Sequence, residues 1–199
     1  MALDDLRVPS SERLLIAALD SLDLDAKSIV TTSLGRAQVA FELERRCPHA
    51  EVQCLFLDLY PAGEARELLA EQGSHVFVVC AADLPAGPLD LVVLPFSRGG
   101  ESLLARDLLQ QAFDRLRTGG TLLTAVDNPK DVWLHHELDK FQKGGARIPT
   151  RWGVTYRLVK KESLRKLRDF ACQFAFRDQG RLVQAVSRPG VFSHRQLDL

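Results

Sequence analysis

The chain has 199 residues, of which 46% are hydrophobic and 26% are charged. This composition excludes wholesale disorder, and the length fits one domain or a domain with a short extension. Lysine plus arginine equals aspartate plus glutamate at 26 each, which argues against a histone-like or tail-type nucleic-acid binder. No apolar stretch approaches the ~20 residues that cross a membrane, and the acidic start lacks the layout of a signal peptide. We expect a cytoplasmic protein with no membrane partner.

The cysteines and histidines do not indicate a metal site. The cysteines form no C-x-x-C pair, and three of the four lie in apolar runs, which predicts reduced core thiols; they are Cys47, Cys54, Cys80 and Cys172. Neighbouring histidines such as His135 and His136 point in different directions on a helix, so they do not form a ligand pair. We expect no bound metal.

The predicted elements alternate between helices and short apolar strands along the chain. The pattern predicts helices over 9–20, from Gly35 to Pro48, and over 62–72, 101–117 and 131–141. It predicts strands over 28–33, 52–57, 76–80, 89–94 and 121–126. Because these strands are nearly continuous apolar runs, they are typical of a parallel sheet covered on both faces. The alternation predicts an α/β fold with a mostly parallel, doubly wound sheet.

The pattern changes after residue 150. Segments 152–159, 171–176 and 181–187 are predicted as antiparallel strands, the last two joined by a turn at 178–180. An antiparallel edge on the parallel sheet is therefore expected.

Ligands of open α/β sheets bind beyond the carboxyl ends of the strands, so the first two strand ends are candidate cofactor sites. Ser33 and Gly35 lie in the first such loop, TTSLGR, which has one glycine where a nucleotide-type cofactor needs several. This loop is either a weakened cofactor site or an ordinary strand–helix turn. Asp58 ends the second strand, where a carboxylate can accept both ribose hydroxyls or cap the next helix.

The next two strand ends offer weaker candidates. Asp83 follows the third strand and could reach an adenine amino group, although a turn-forming role explains it equally well. Pro95 and Phe96 end the fourth strand and could present an aromatic face to a planar base, or pack the loop.

The stretch from Lys140 to Asp169 contains ten cations and two acids. This excess indicates contact with RNA phosphates, and a solvated surface helix at 161–169 is the alternative. The residues that we expect to contact RNA are Arg147, Arg151, Arg157, Lys160 and Lys161.

Two segments resemble a known family. Residues 89–131, from LDLVVLPFSRGG to AVDNPKD, and the ending RPGVFS followed by LDL are similar to two-domain bacterial ribosomal RNA guanine-N2 methyltransferases. These belong to the class I S-adenosyl-L-methionine-dependent methyltransferases. The resemblance covers roughly residues 28–199, and the ending is its most specific part.

The resemblance implies a Rossmann-like methyltransferase fold and S-adenosyl-L-methionine as the cofactor of the parent family. In that family the C-terminal domain is catalytic and has an Asn-Pro-Pro-aromatic motif, whereas the N-terminal domain is degenerate and helps to place RNA. This chain has TTSLGR in place of the acidic, multi-glycine donor loop and Leu94-Pro95-Phe96-Ser97 in place of the catalytic motif. Both departures match the degenerate domain, which implies that this chain has no catalytic residue and that its Ser33, Gly35, Asp58 and Asp83 are vestigial.

The resemblance also implies a division of the chain. Residues 1–27 are expected to be a helical extension, 28–170 the methyltransferase-like domain, and 171–199 strands and a linker into a C-terminal catalytic domain that this sequence lacks. We expect the chain to be the N-terminal part of an RNA methyltransferase, acting in RNA positioning and domain docking. The alternatives are an active stand-alone methyltransferase and an NAD(P)-dependent oxidoreductase, which the missing G-x-G-x-x-G disfavours.

Overall fold

Five helices and nine strands form the part of the chain that this computed structural model describes, residues 7–22 and 24–190. The helices are α1 Ser10–Leu19, α2 Gln38–Arg46, α3 Leu59–Glu71, α4 Ser102–Arg115 and α5 Trp133–Phe141. The strands are β1 Ser28–Thr32, β2 Glu51–Phe56, β3 Phe77–Cys80, β4 Leu89–Phe96, β5 Leu116–Val126, β6 Ala146–Thr150, β7 Gly153–Val159, β8 Cys172–Asp178 and β9 Arg181–Ser187.

Seven strands form one sheet in the order β3-β2-β1-β4-β5-β7-β6. Strands β1 to β5 run parallel, whereas β7 is antiparallel to both β5 and β6. The predicted mostly parallel sheet with an antiparallel edge is therefore confirmed. The carboxyl ends of β1 to β5 all lie at one side of the sheet, which we call the carboxyl edge.

The sheet is buried on both faces, as its continuous apolar strands predict. One face packs against helices α1 to α3 through fully buried side chains such as Leu15 and Leu43. The other packs against α4 and α5 through Leu109 and Phe113. No helix within residues 7–22 and 24–190 is both long and apolar enough to span a membrane.

Helix α1 is part of the core. It contacts β4, β5, β7 and α2, and Leu15 and Leu19 are 0% and 1% exposed. This packing fixes the polar side chains of α1 relative to the loop that follows β1.

The structure differs from the sequence prediction around the antiparallel edge. Strand β5 already begins at Leu116, and Gly119 and Gly120 lie within it, because the Gly119 N–H donates to the Lys160 carbonyl and the Gly120 carbonyl accepts the Lys160 N–H. Strand β6 was not predicted, since all five of its residues are exposed and it is held to β7 by backbone pairing.

The segment between the two sheets also differs from one prediction. The alternative of a surface helix at 161–169 is wrong. Instead, the Gln110 side chain of α4 forms two hydrogen bonds with the backbone of Arg168. Its Oε1 accepts the Arg168 N–H at 2.9 Å, and its Nε2 donates to the Arg168 carbonyl at 2.8 Å.

Strands β8 and β9 form the predicted hairpin, but as a separate two-stranded sheet. Its turn residues Gln179 and Gly180 have φ values of 47° and 81°, as a tight two-residue hairpin turn requires.

Candidate functional site

A cavity of about 540 Å³ opens at the carboxyl edge. The loops that follow β1, β2, β4 and β5 line it. The structure brings five of the predicted site residues together there, namely Ser33, Gly35, Asp58, Pro95 and Phe96. Asp83 does not line this cavity.

The loop after β1, residues 33–37, binds a carboxylate from the chain itself. Oε1 of Glu12 accepts hydrogen bonds from the backbone N–H groups of Leu34 and Gly35, at 2.6 and 3.0 Å. It also accepts from the Ser33 hydroxyl at 2.9 Å. The backbone amides that a cofactor would bind in such a loop therefore already hold an acceptor from α1.

Glu12 is completely buried, and its second oxygen, Oε2, has no hydrogen-bond partner. Burial raises the pKa of this carboxyl above its usual value, against the opposing effect of hydrogen bonds from Ser33 and from nearby backbone amides. The space beside Gly35 is also filled, because a Cβ at that residue would lie 2.7 Å from Oε1 of Gln38 and 2.9 Å from Cδ of Pro9. The side chains of Gln38 and Pro9 therefore occupy the space that a glycine leaves open at this position.

Asp58 is exposed and precedes α3 as its N-cap. Its Oδ1 accepts the backbone N–H of Tyr60 at 2.8 Å, which is the geometry of a capping carboxylate. The structure thus shows the helix-capping alternative. The carboxylate also faces the cavity, where it retains acceptor capacity for a hydroxyl ligand.

Asp83 forms an ion pair with Arg188. The two terminal guanidinium nitrogens of Arg188 donate to its carboxylate, at 2.5 and 2.6 Å, in the bidentate arrangement that favours both charges. This hydrogen bonding lowers the pKa of Asp83. Two residues later the Gly190 N–H donates to Oε2 of Glu101 at 3.2 Å. Residues 188–190, which we call the linker segment, are therefore anchored beside α4, and Gly190 reaches the carboxyl edge.

Pro95 and Phe96 form the end of β4, where Pro95 is buried and Phe96 is half-buried against the cavity. The side chain of Leu94 is fully buried in the core, and its carbonyl accepts the Thr124 hydroxyl at 2.7 Å. The position before Pro95 therefore offers the cavity no side-chain acceptor for an amine.

The basic stretch does not lie on one face. Arg147 reaches the backbone carbonyl of Asp131 at the carboxyl edge, at 3.0 Å. Lys161 follows β7 at the opposite end of the sheet, about 20 Å of strand away from Gly153. Arg151 and Arg157 are exposed as predicted.

Lys160 is 4% exposed, which contradicts its expected place on the RNA-contacting surface. Its ammonium donates to the carbonyls of Asp114 and Leu116, at 2.8 and 2.7 Å. Because these bonds hold it inside the protein at the end of α4, it is not available to an external phosphate.

The comparisons with known proteins agree with this architecture. No protein-family model matches the chain. Two curated relatives, both named Ribosomal RNA small subunit methyltransferase C, come from Pseudomonas syringae pathovars syringae and tomato. Each is 26% identical to this chain over 128 residues, which is 61% of this chain and 38% of the relative. The match thus spans less than half the length of these relatives.

Several solved methyltransferase structures share the fold. The 16S rRNA N2 G1207 methyltransferase of T. thermophilus, solved with AdoMet and guanosine, has a TM-score of 0.71 at 22% identity, over 94% of this chain and 48% of that one. The ribosomal protein L11 methylase of Lactobacillus delbrueckii subsp. bulgaricus has a TM-score of 0.64 at 13% identity, over 79% of this chain and 81% of that one. This chain has the class I S-adenosylmethionine-dependent methyltransferase fold.

The residues at the usual cofactor position of a methyltransferase fold only partly suit S-adenosylmethionine. Asp58 and the cavity fit a ribose and a planar group, but Glu12 and the filled space beside Gly35 do not fit a donor at the first loop. Among residues 7–22 and 24–190, no three His, Cys, Asp or Glu side chains are grouped as metal ligands.

Sequence reasoning missed Glu12 and Arg188 as residues of this edge. Glu12 lies 22 residues before Leu34, and Arg188 lies 105 residues after Asp83. Only the tertiary fold brings each to its partner. A single acid in an amphipathic helix carries no local signal of such a role.

Proposed function

We propose that this chain is a degenerate methyltransferase domain of a ribosomal RNA methyltransferase, which contacts RNA and docks a catalytic domain but does not bind the methyl donor. The observation that carries this proposal is the carboxylate of Glu12 on the amides of Leu34 and Gly35. The similarity to Ribosomal RNA small subunit methyltransferase C supports the substrate class.

A donor at the first loop would compete with a carboxylate that cannot diffuse away. Glu12 is held by α1, whose Leu15 and Leu19 are buried in the core. Displacing it requires breaking three hydrogen bonds to a charged acceptor, each contributing about 1.5–3 kcal/mol, or moving α1 out of its packing. The tethered carboxylate therefore keeps the loop closed to the donor.

The end of β4 supports the absence of catalysis. In the family that the sequence resembles, the Asn of the catalytic motif helps to hold the exocyclic amine of guanine. This chain has Leu94 at that position, and its side chain is buried in the core and has no polar atom. The backbone carbonyl of Pro95 and the ring of Phe96 remain at this strand end, so the missing part of the motif is the side-chain acceptor.

Exposed cations supply the RNA contacts in this proposal. Arg147, Arg151, Arg157 and Lys161 lie on the surface at the antiparallel edge and its ends. Phosphate contacts of this kind position an RNA without reading its sequence. The domain would thus hold the RNA while the second domain performs the methyl transfer.

The linker segment marks where the second domain joins in this proposal. The ion pair of Arg188 with Asp83 and the bond from Gly190 to Glu101 direct the chain out at the carboxyl edge. In this proposal residues 171–199 lead into the catalytic domain, and residues 28–170 form the methyltransferase-like body together with α1 of the expected extension 1–27, because α1 is packed in the core. Residues 1–6, 23 and 191–199 of these segments lie outside the described part of the chain.

Calorimetric titration with S-adenosylhomocysteine tests the loss of donor binding. We expect no saturable heat up to millimolar ligand from the folded chain. Saturable micromolar binding that Asp58→Ala abolishes would instead establish a working cofactor pocket and the alternative of an active methyltransferase.

Charge reversal tests the RNA contacts. The double variant Arg151→Glu, Arg157→Glu should weaken RNA binding and reduce the slope of log affinity against log salt by about 0.7 for each lost single-strand phosphate contact. Arg45→Glu is the matched control, because Arg45 is exposed at the end of α2, away from the antiparallel edge. Equal binding by the two variants would reject this surface.

A further inference from the structure

The turn between β6 and β7 presents an exposed tryptophan that no part of the cavity uses. Trp152 is 59% exposed, and the Arg151 guanidinium lies over its ring, 4.7 Å from the centroid. We propose that Arg151 and Trp152 form a stacking platform for an unpaired nucleobase of an RNA strand. This inference deepens the proposed function and rests on its RNA-binding part.

The platform is fixed by the backbone around it. The Thr150 hydroxyl accepts the Trp152 N–H at 3.1 Å and donates to the Gly153 carbonyl at 3.0 Å. A Cβ at Gly153 would clash with the Val126 carbonyl and lie 2.7 Å from Cδ1 of Leu14. The turn is therefore wedged against the end of β5, and Trp152 extends from a rigid support that needs little ordering on binding.

The exposure of the ring indicates an open binding face. One face of Trp152 is covered by Arg151, yet more than half of the residue remains accessible to solvent. A base that stacks on the free face would complete a guanidinium–indole–base stack, in which each layer is planar. Such stacking accepts any base, because every base has a π-face.

The surroundings of the platform favour a polyanion over a protein partner. Arg147 reaches the Asp131 carbonyl beside Lys130, so both cations lie in or against the loop that follows β5, next to the turn. The two acids of this loop are engaged, since Asp127 accepts the Arg98 N–H and Asp131 accepts the Tyr156 hydroxyl. Phosphates on either side of a stacked base would meet Lys130, Arg147 and Arg151.

The place of Trp152 in the fold also sets the direction of a bound RNA strand. Val154 pairs with Val126 at the carboxyl end of β5, and Val126 lines the cavity. A base on Trp152 therefore places its strand along the carboxyl edge, which Gly190 of the linker segment also reaches. Inside a duplex both faces of each base are covered by stacked neighbours and only the terminal pairs are open, so the platform favours single-stranded loops and ends.

The test uses the full chain and a fluorescein-labelled, mixed-sequence, 12-nucleotide single-stranded RNA, with a blunt duplex of the same sequence as comparison. Trp152→Ala should weaken binding of the single strand roughly tenfold or more with an unchanged salt slope, because stacking releases no counterions. Trp152→Phe should restore most of the affinity. Phe77→Ala, which removes an aromatic side chain that is 61% exposed on β3 at the opposite edge strand, is the matched control and should bind as the unaltered chain does.

Fluorescence reports the contact directly, since the chain has two tryptophans. In Trp133→Phe, Trp152 is the remaining one, and at equal strand concentration its emission should be quenched much more strongly by the single strand than by the duplex, which offers only its end pairs. If Trp152→Ala binds the single strand with normal affinity, and the emission of Trp133→Phe is not quenched, the stacking platform is overturned. RNA binding would then rest on the cations alone. No binding of either RNA by the unaltered chain overturns the platform together with the RNA part of the proposed function. A change in self-association of Trp152→Ala with normal RNA affinity assigns the turn to a protein contact instead.

Discussion

At the residue scale, the buried carboxylate of Glu12 is hydrogen-bonded to the first loop and also makes stability depend on pH. Its Oε1 accepts hydrogen bonds from two loop amides, while Oε2 is buried without a hydrogen-bond partner. Because burial raises the pKa of Glu12 in the folded chain, the folded state holds this proton to higher pH than the unfolded state does. Stability then falls as the pH rises from the unfolded pKa, near 4.5, through the folded pKa.

Glu12→Gln should remove this dependence, since an amide keeps an oxygen for the loop but does not titrate. We expect the free energy of unfolding of the variant, minus that of the unaltered chain, to increase as the pH rises above 4.5. Urea unfolding at several pH values between 4.5 and 7.5 measures this difference, and all other carboxyls cancel in it. Parallel pH profiles would show that Glu12 is not buried as described.

Tyr156 is a second residue whose role is open to a direct test. Its hydroxyl donates to Oδ2 of Asp131 at 2.7 Å, and burial raises the pKa of Tyr156 to about 12, so it stays a donor at neutral pH. Tyr156→Phe should lower the free energy of unfolding by about 1–2 kcal/mol, because a buried carboxylate loses a partner. The chain's other tyrosine, Tyr60, is 72% exposed, and Tyr60→Phe should change stability by less than about 0.5 kcal/mol. Equal effects in urea unfolding would contradict the assignment.

At the element scale, Lys160 joins the end of β7 to the end of α4. Its ammonium satisfies two carbonyls at the C-terminus of the helix, where a cation is also favoured by the helix dipole. This role explains why a lysine of the basic stretch is buried.

Lys160→Met should therefore cost about 2 kcal/mol, as it leaves these carbonyls unpaired, while Lys161→Met on the exposed neighbour should be nearly neutral. Thermal unfolding of the two variants measures the contrast. If Lys160→Met keeps the full melting temperature and weakens RNA binding instead, the side chain reaches the surface in solution.

The elements that could be predicted from the sequence are those whose burial leaves a pattern. Apolar runs such as 52–57 specify strands covered on both faces, and the sheet confirms them. The sequence of β6 shows no such pattern, because its side chains are exposed and the strand is held to β7 by backbone hydrogen bonds. The residues that line the cavity lie at strand ends, so some of them could be predicted. The contact of Glu12 with Leu34 depends on how α1 packs, which the local sequence does not encode.

At the scale of the whole molecule, two distant segments of the chain converge on the carboxyl edge. Helix α1 supplies the carboxylate that the first loop binds, and the linker segment pairs with Asp83 and Glu101. A methyltransferase fold normally leaves this edge to its ligands. Here the chain's own groups bond two polar sites of this edge, the amides of the first loop and the carboxylate of Glu101.

The most direct measurement is an amide NMR titration that follows the N–H signals of Leu34 and Gly35 as S-adenosylhomocysteine is added. If Glu12 holds these amides, neither signal moves up to millimolar ligand, and both shift when the pH is raised through the Glu12 titration above 4.5. Saturable shifts of the two signals at micromolar ligand would contradict the closed loop and identify a functioning donor site.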